Sequence, residues 1–213
     1  MSTPSTLSRA EQKQLTRQKL LDATIDLIAE QGLSGVTLGK VAQRTGLSRG
    51  ISNYHFETKE QLMLEVLREL YQEHERAWRS AVADVDESPA QRLHILIESL
   101  LTPPIADHRK LAVWMAFWGV APQRETYLEI FASIDREYEA EVAGVLRQLS
   151  ADVETVNGMS LKEISVTLTS MIDGFWLNYL ISPGCLDPEN AVKACLAFLS
   201  SFFPEFKSLT RGD

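Results

Sequence analysis

Cysteine is nearly absent. Cys185 and Cys195 are the two in 213 residues, with no histidine near either, so neither a zinc site nor a disulfide framework organises the chain; both read as packing residues. The four histidines are scattered, and His94 with Glu98 on one helix face reads as a solvated pair and not as a metal site. Gly-rich phosphate loops, His-Glu-x-x-His and Gly-x-Ser-x-Gly are all missing, which argues against the common enzyme classes and leaves no cofactor or metal to expect. Apolar runs long enough to cross a bilayer are missing too, and the polar N-terminus shows no signal peptide, so a cytoplasmic protein without a membrane partner is expected. No segment alternates apolar and polar residues at period two, and no internal repeat is visible. The pattern predicts an all-α chain that binds something.

What is present starts with an uneven charge. The formal net charge is −8, yet residues 1–60 hold eight Lys and Arg against six Asp and Glu, while the remainder holds thirteen against twenty-three. Phosphate attraction depends on local positive charge, and an acidic remainder limits indiscriminate sticking to nucleic acid. The division suits a nucleic-acid-binding head on an acidic body.

Val36–Gln61 organises the head. Thr37 caps a short helix carrying Leu38, Val41 and Ala42, and Gly46 stops it in the left-handed conformation. Ser48 caps a second helix from about Arg49 to Tyr54, with Ile51 expected to point inward. Helix, glycine turn and helix at this spacing is the helix-turn-helix arrangement, whose second helix can lie in the major groove of DNA. That second helix is too polar for a core helix. Arg49 suits bidentate contact with guanine, Asn53 can pair with adenine or phosphate, and Ser52 is a lesser candidate. Gly50 leaves room to approach bases or a neighbouring helix.

Before it, a helix ending near Gln31-Gly32 presents Leu21, Ile25 and Ile28 on one face and Arg9, Lys13, Arg17 and Lys19 near its start. After it, Phe56 plugs the head, and Thr58-Lys-Glu-Gln61 reads as a capping box opening a long helix through His74 and Trp78 to about Asp84. Further capping signals at Ser88, Asp107, Ser160 and Asp187 open four more helices, and another runs from about Arg124 to Leu149. About nine helices are expected: a three-helix DNA-binding domain over 1–62, then a helical ligand-binding and dimerisation domain over 63–213.

Leu38–Gly50, Asn53-Tyr-His-Phe56, Lys59 and Leu62 resemble the DNA-binding domain of TetR-family transcriptional regulators, a likeness covering roughly Leu15 to Leu70. It implies phosphate contacts for Thr37, Tyr54, His55 and Lys59, which would position the head and leave reading to Arg49 and its neighbours. The pattern departs at Asn53, where many members carry tyrosine. Ala112–Trp118 and Ile172–Leu177 resemble, more loosely, the ligand domain of the choline-responsive Bet-type repressors. The resemblance implies a homodimeric repressor on a palindromic DNA operator, released by a small-molecule effector. A regulator sensing an uncharged or anionic hydrophobic ligand, and a ligand-binding protein that no longer binds DNA, stand as the alternatives.

The candidate ligand residues are mainly aromatic. Trp114, Phe117 and Trp118 fall at i, i+3 and i+4, while Trp176 and Tyr179 share a face of another helix that also carries Asp173. Aromatic faces with one carboxylate suit a quaternary ammonium group such as choline. The same residues read more readily as core, with Asp173 accepting hydrogen bonds near a dimer interface. In the last two long helices, Leu168, Met171, Ile172 and Phe175, and Val192, Leu196 and Leu199, give apolar faces broad enough to pack inside and still leave a side for a four-helix dimer interface.

Overall fold

The computed structural model describes residues 8–83, 87–184 and 187–209, so the expected helix end at Asp84, the packing role of Cys185 and the segment before Ser8 lie outside the described residues. Its helices are α1 (Arg9–Gly35), α2 (Leu38–Thr45), α3 (Arg49–His55), α4 (Lys59–Ala83), α5 (Pro89–Leu101), α6 (His108–Val120), α7 (Glu125–Leu149), α8 (Leu161–Ile181), α9 (Pro188–Ser200) and α10 (Phe206–Leu209). The fold is all-α, with the short final helix as the one that periodicity did not predict.

Local chemistry explains most boundaries. Ser8 and Glu11 form a reciprocal capping box on α1, and Gly32 breaks that helix with φ +70° before one more turn reaches Gly35. Thr37 Oγ1 accepts from the Lys40 amide at 3.2 Å, Gly46 closes α2 at φ +70°, and Ser48 Oγ accepts from the Ile51 amide. Capping boxes at Ser88–Gln91 and Ser160–Glu163, and Asp caps at Asp107 and Asp187, fall as expected. At α4 the box is displaced by one residue: Thr58 accepts from the Gln61 amide at 3.1 Å, but the Gln61 side chain accepts from the Glu57 amide at 2.9 Å.

Three expectations need correction. Ile51 is 41% exposed, and Ser52, 1% exposed, takes the inward position. Phe56 fixes the phase: the residue four earlier on the same face is Ser52, not Ile51. A two-stranded antiparallel hairpin, Thr155–Val156 with Met159–Ser160, turns through Asn157-Gly158, both at positive φ. Two-residue strands are too short to alternate, and the Asn-Gly pair was the available signal. Finally, of the faces expected at the dimer interface, Leu168, Ile172, Val192, Leu196 and Leu199 are buried within the chain itself and Met171 and Phe175 are half-buried, while Val166, Leu177 and Ile181 of α8 stand exposed at 45%, 44% and 66%.

α4 serves two surroundings. Leu62, Met63, Val66, Leu67 and Leu70 are buried along its first half, and His74 and Trp78 along its second, while the helix packs on α1, α5 and α7. α5 is central to the body, touching α4, α7, α8 and α9. α6 packs between α1 and α8, with Leu111, Val113, Trp114 and Phe117 buried. Cys195 is fully buried on α9, and burial pushes its thiol up to about 12, consistent with packing. No helix among the described residues is long and apolar enough to cross a membrane.

Candidate nucleic-acid interface and buried cavity

The outer face of α3 is polar and open. Arg49, Gly50 and Asn53 are exposed, and Tyr54 is 71% exposed. A Cβ at Gly50 would meet only Ser48 Oγ at 3.8 Å, so the glycine faces open space and no neighbouring helix of this chain comes close to it. Ser52 is turned into the core and its hydroxyl has no hydrogen-bond partner among the described residues, which removes it from the base-reading face. Lys13 of α1 stands 5.2 Å over the Tyr54 ring, and with Arg9 it lines a groove between α1 and α3. His55 is half-buried under Tyr54, and burial, then the nearby Lys13 and Arg17, holds its pKa below the usual imidazole range. It is neutral at neutral pH. Thr37 is exposed, its hydroxyl committed to the α2 cap. Lys59 is half-buried, donating at 2.7 Å to the Leu33 carbonyl at the end of α1.

Polar ties run from this head to the body. Arg17 of α1 pairs with Glu65 of α4. Asp26 of α1 accepts from Arg109 of α6 at 2.6 Å and lies 3.7 Å from Arg44 of α2, whose fork also holds Glu30 at 2.7 and 2.5 Å. Within the body, Lys110 of α6 pairs with Glu73 of α4 at 2.5 Å. Sequence periodicity gave no signal for this network, because its partners are up to 83 residues apart.

The body holds a cavity. About 70 Å³ is open there to the centre of a water-sized sphere. At roughly 10–15 Å³ per water, that holds some five to seven non-hydrogen atoms, a compact ligand and not a long acyl chain. Trp118 stacks on Trp176 at 6.2 Å and 19°, Trp114 leans on Phe131 at 5.9 Å, and Trp176 Nε1 donates to the Leu100 carbonyl at 2.8 Å, which fixes its ring. Asp173 and Thr169 are the polar residues that α8 adds to the wall. Of the expected residues, Trp114, Trp118, Asp173 and Trp176 line this cavity, whereas Phe117 and Tyr179 do not.

Both exceptions follow from helix geometry. Phe117 sits about 60° round α6 from Trp114, on the side away from Trp118, and is fully buried edge-on against Tyr127 at 5.2 Å. Tyr179 is nearly a turn beyond Trp176. Burial first, then Cys195 and Asp187, pushes its phenol up to about 12, which places it toward α9.

Six of the cavity's lining residues were missed, and two of them, His74 and Tyr138, bring buried polar groups. His74 comes from α4, is 8% exposed, and sits edge-on between Trp114 at 6.5 Å and Trp176 at 6.1 Å. Burial alone pushes its pKa down to about 4. Tyr138 comes from α7 at 6% exposure, and burial, with Cys195 and Asp173 nearby, raises its phenol. Both groups are uncharged at neutral pH. Neither His74 Nδ1 nor Tyr138 OH has a hydrogen-bond partner among the described residues. A histidine and a tyrosine at heptad-like positions of amphipathic helices look like packing, so only an unpartnered polar atom found in three dimensions marks them.

A helix-turn-helix head, a long helix continuous with the body, and a body that holds an aromatic cavity are the architecture of a DNA-binding transcriptional regulator, the class that the matching families describe. The chain belongs to the TetR family of bacterial regulatory proteins, with a BetI-type C-terminal domain: the family described as "Bacterial regulatory proteins, tetR family" matches residues 20–66, and "BetI-type transcriptional repressor, C-terminal" matches 89–204, more than half the chain. The HTH-type transcriptional regulator BetI of Burkholderia thailandensis is 28% identical over 185 residues, covering 85% of this chain and 90% of the relative. Among solved structures, a transcriptional regulator from Pseudomonas aeruginosa PAO1 is 26% identical with a TM-score of 0.78, covering 91% of this chain and 92% of that one. A regulator from Saccharomonospora viridis, solved in complex with choline, shares the fold at a TM-score of 0.76 and 20% identity, covering 88% of this chain and 96% of that one.

Proposed function

We propose that the chain acts as a homodimeric repressor of a palindromic operator, released by a compact quaternary ammonium effector of the choline type. Residues 1–62 form the DNA-binding domain and 63–213 the effector and dimerisation domain. Arg49 and Asn53 read bases, Gly50 allows close approach, and Thr37, Tyr54, His55 and Lys59 position the head on phosphates. The effector observation that carries the reading is the cavity wall: three tryptophans, Trp114, Trp118 and Trp176, with the carboxylate of Asp173 beside them. A quaternary cation cannot shed its charge to enter a dry site, so it needs aromatic faces, each attracting it by roughly 0.5–2 kcal/mol. The cavity's small volume favours such a compact ion, and the choline complex of the Saccharomonospora viridis regulator supports the same ligand class.

Dimerisation follows from α8. Val166, Leu177 and Ile181 expose apolar surface that a second copy would cover. Two α3 helices would then enter successive major grooves about 34–36 Å apart. An effector that binds a different body arrangement more tightly changes that separation, and a tenfold loss of operator affinity needs only about 1.4 kcal/mol of differential binding.

Calorimetry with choline and its neutral, same-shape analogue 3,3-dimethylbutanol tests the effector. Tighter binding of choline, lost in Trp118→Leu, is expected. Equal binding of both would mean that the cavity reads shape and not charge, and binding of neither would return the tryptophans to the core.

A further inference from the structure

We propose that His74 is the residue through which a bound cation acts on the DNA-binding head: a hydroxyl carried beside the cationic group bonds the His74 ring, and a cation lacking it fills the cavity without releasing DNA. The inference rests on the reading of the cavity as a cation site and adds what makes an occupant effective.

The walls divide by helix. Trp114 and Trp118 belong to α6, Asp173 and Trp176 to α8, and among the described residues that line the cavity His74 is the one from α4. A cation held by tryptophan faces and a carboxylate therefore engages α6 and α8. Engaging α4 needs a group that can meet His74. Its ring is held between Trp114 and Trp176, and Nδ1 is buried with no hydrogen-bond partner, a condition that costs free energy until a partner arrives. The uncharged imidazole can accept from or donate to a hydroxyl through that nitrogen.

α4 carries the consequence to the head. His74 is fifteen residues along the helix from Lys59, about 22 Å, with no Pro or Gly between them. Lys59 and Glu65 on the same helix hold α1 through the Leu33 carbonyl and Arg17. A bond formed at His74 pulls on a continuous rod fastened to the helix-turn-helix domain. Tyr138, the other cavity residue with an unpartnered polar atom, lies on α7 and not on α4. Its bond to the same hydroxyl adds affinity without this leverage.

The test uses the full chain, a duplex that the protein selects from a random library, choline, and ethyltrimethylammonium, which is choline without the hydroxyl. Binding is read by calorimetry and release by fluorescence anisotropy at saturating ligand. Choline should weaken duplex affinity at least tenfold. Ethyltrimethylammonium should bind, compete with choline and weaken duplex affinity less than twofold. His74→Phe should bind choline roughly five- to a hundredfold more weakly, the effect of one buried hydrogen bond, and show no release even at saturation. Tyr138→Phe should weaken choline binding yet release fully at saturation. Equal release by both cations, or loss of release in Tyr138→Phe as complete as in His74→Phe, overturns the proposal while leaving the cation site intact. Failure of both cations to bind overturns the cation site and this inference with it. Should His74→Phe not fold, the two-ligand comparison on the unaltered protein decides alone.

Discussion

Lowering the pH from 7 to 5 should destabilise this protein, and the part due to the buried His74 can be isolated by mutation. In the folded chain its pKa is pushed down to about 4, against 6.5 for the unperturbed group, and burial is the cause. The unfolded chain therefore takes up the proton first. Stability contributed by this group is fully present above about pH 6.5 and falls as the pH drops toward 4, because the unfolded state binds more protons across that window. At pH 5 the unfolded imidazole is almost wholly protonated and the folded one almost wholly neutral. The difference amounts to about 2 kcal/mol relative to pH 7. At 8% exposure little solvent screening reduces it. The assay is urea unfolding at pH 7 and pH 5 for the unaltered protein and His74→Phe. His55 is also shifted down, and Glu11, Glu30 and Glu163 have lowered values of their own, but these act equally in both proteins and cancel in the comparison. The variant should lose about 2 kcal/mol less over the same interval. Parallel losses would refute the reasoning and place a water or a polar partner on the buried ring.

Other perturbations separate the head, the dimer and the connection between them. Arg49→Ala should cost about 1–3 kcal/mol, mainly on the preferred duplex, while Lys59→Ala should weaken all duplexes alike and flatten the dependence of log affinity on log salt; an unchanged preference in Arg49→Ala would remove α3 as the reading helix. Lys59→Ala should also lower stability by about 1 kcal/mol, since its ammonium satisfies the Leu33 carbonyl. Ile181→Glu, on the uncovered face of α8, should yield folded monomers in sedimentation, whereas Leu196→Glu should unfold the chain, being 1% exposed within it; a monomeric unaltered protein at micromolar concentration would end the dimer reading. Asp26→Asn should change stability by less than about 1 kcal/mol, its pairs with Arg109 and Arg44 being part-exposed, yet reduce choline-driven release, and full release would show that α1 need not be tied to α6.

The helices were legible because caps and periodicity are local. Ser88, Asp107, Ser160 and Asp187 state their helix starts within three residues, and Gly46 states a stop. The aromatic cavity was half legible: four-residue spacing put Trp114 and Trp118 together, but three-residue spacing alone could not say on which side Phe117 would fall. Ile51 was misplaced by hydrophobicity when the phase set by Phe56 already assigned the inward position to Ser52. His74 could not be found at all from its neighbours. What distinguishes it is a missing partner, and a missing partner is a property of the assembled body.

The ties between body and head act side by side, and each is weak alone. The Asp26 pairs are part-exposed, and such pairs contribute about 0.2–1 kcal/mol each. No single one would lock the head against a motion driven by about 1.4 kcal/mol of differential ligand binding. Together they decide what moves with what: α1 is held to α6 by Asp26 and Arg109, to α2 by Arg44, and to α4 by Lys59 and Glu65. On the proposed mechanism, a displacement of α4 toward an occupied cavity would meet an α1 fastened to the body, and rotation of the small domain that carries α3 would take up the difference. A stiffer set of contacts would hold the reading helices in place with ligand bound, and a looser one would let the head drift without it.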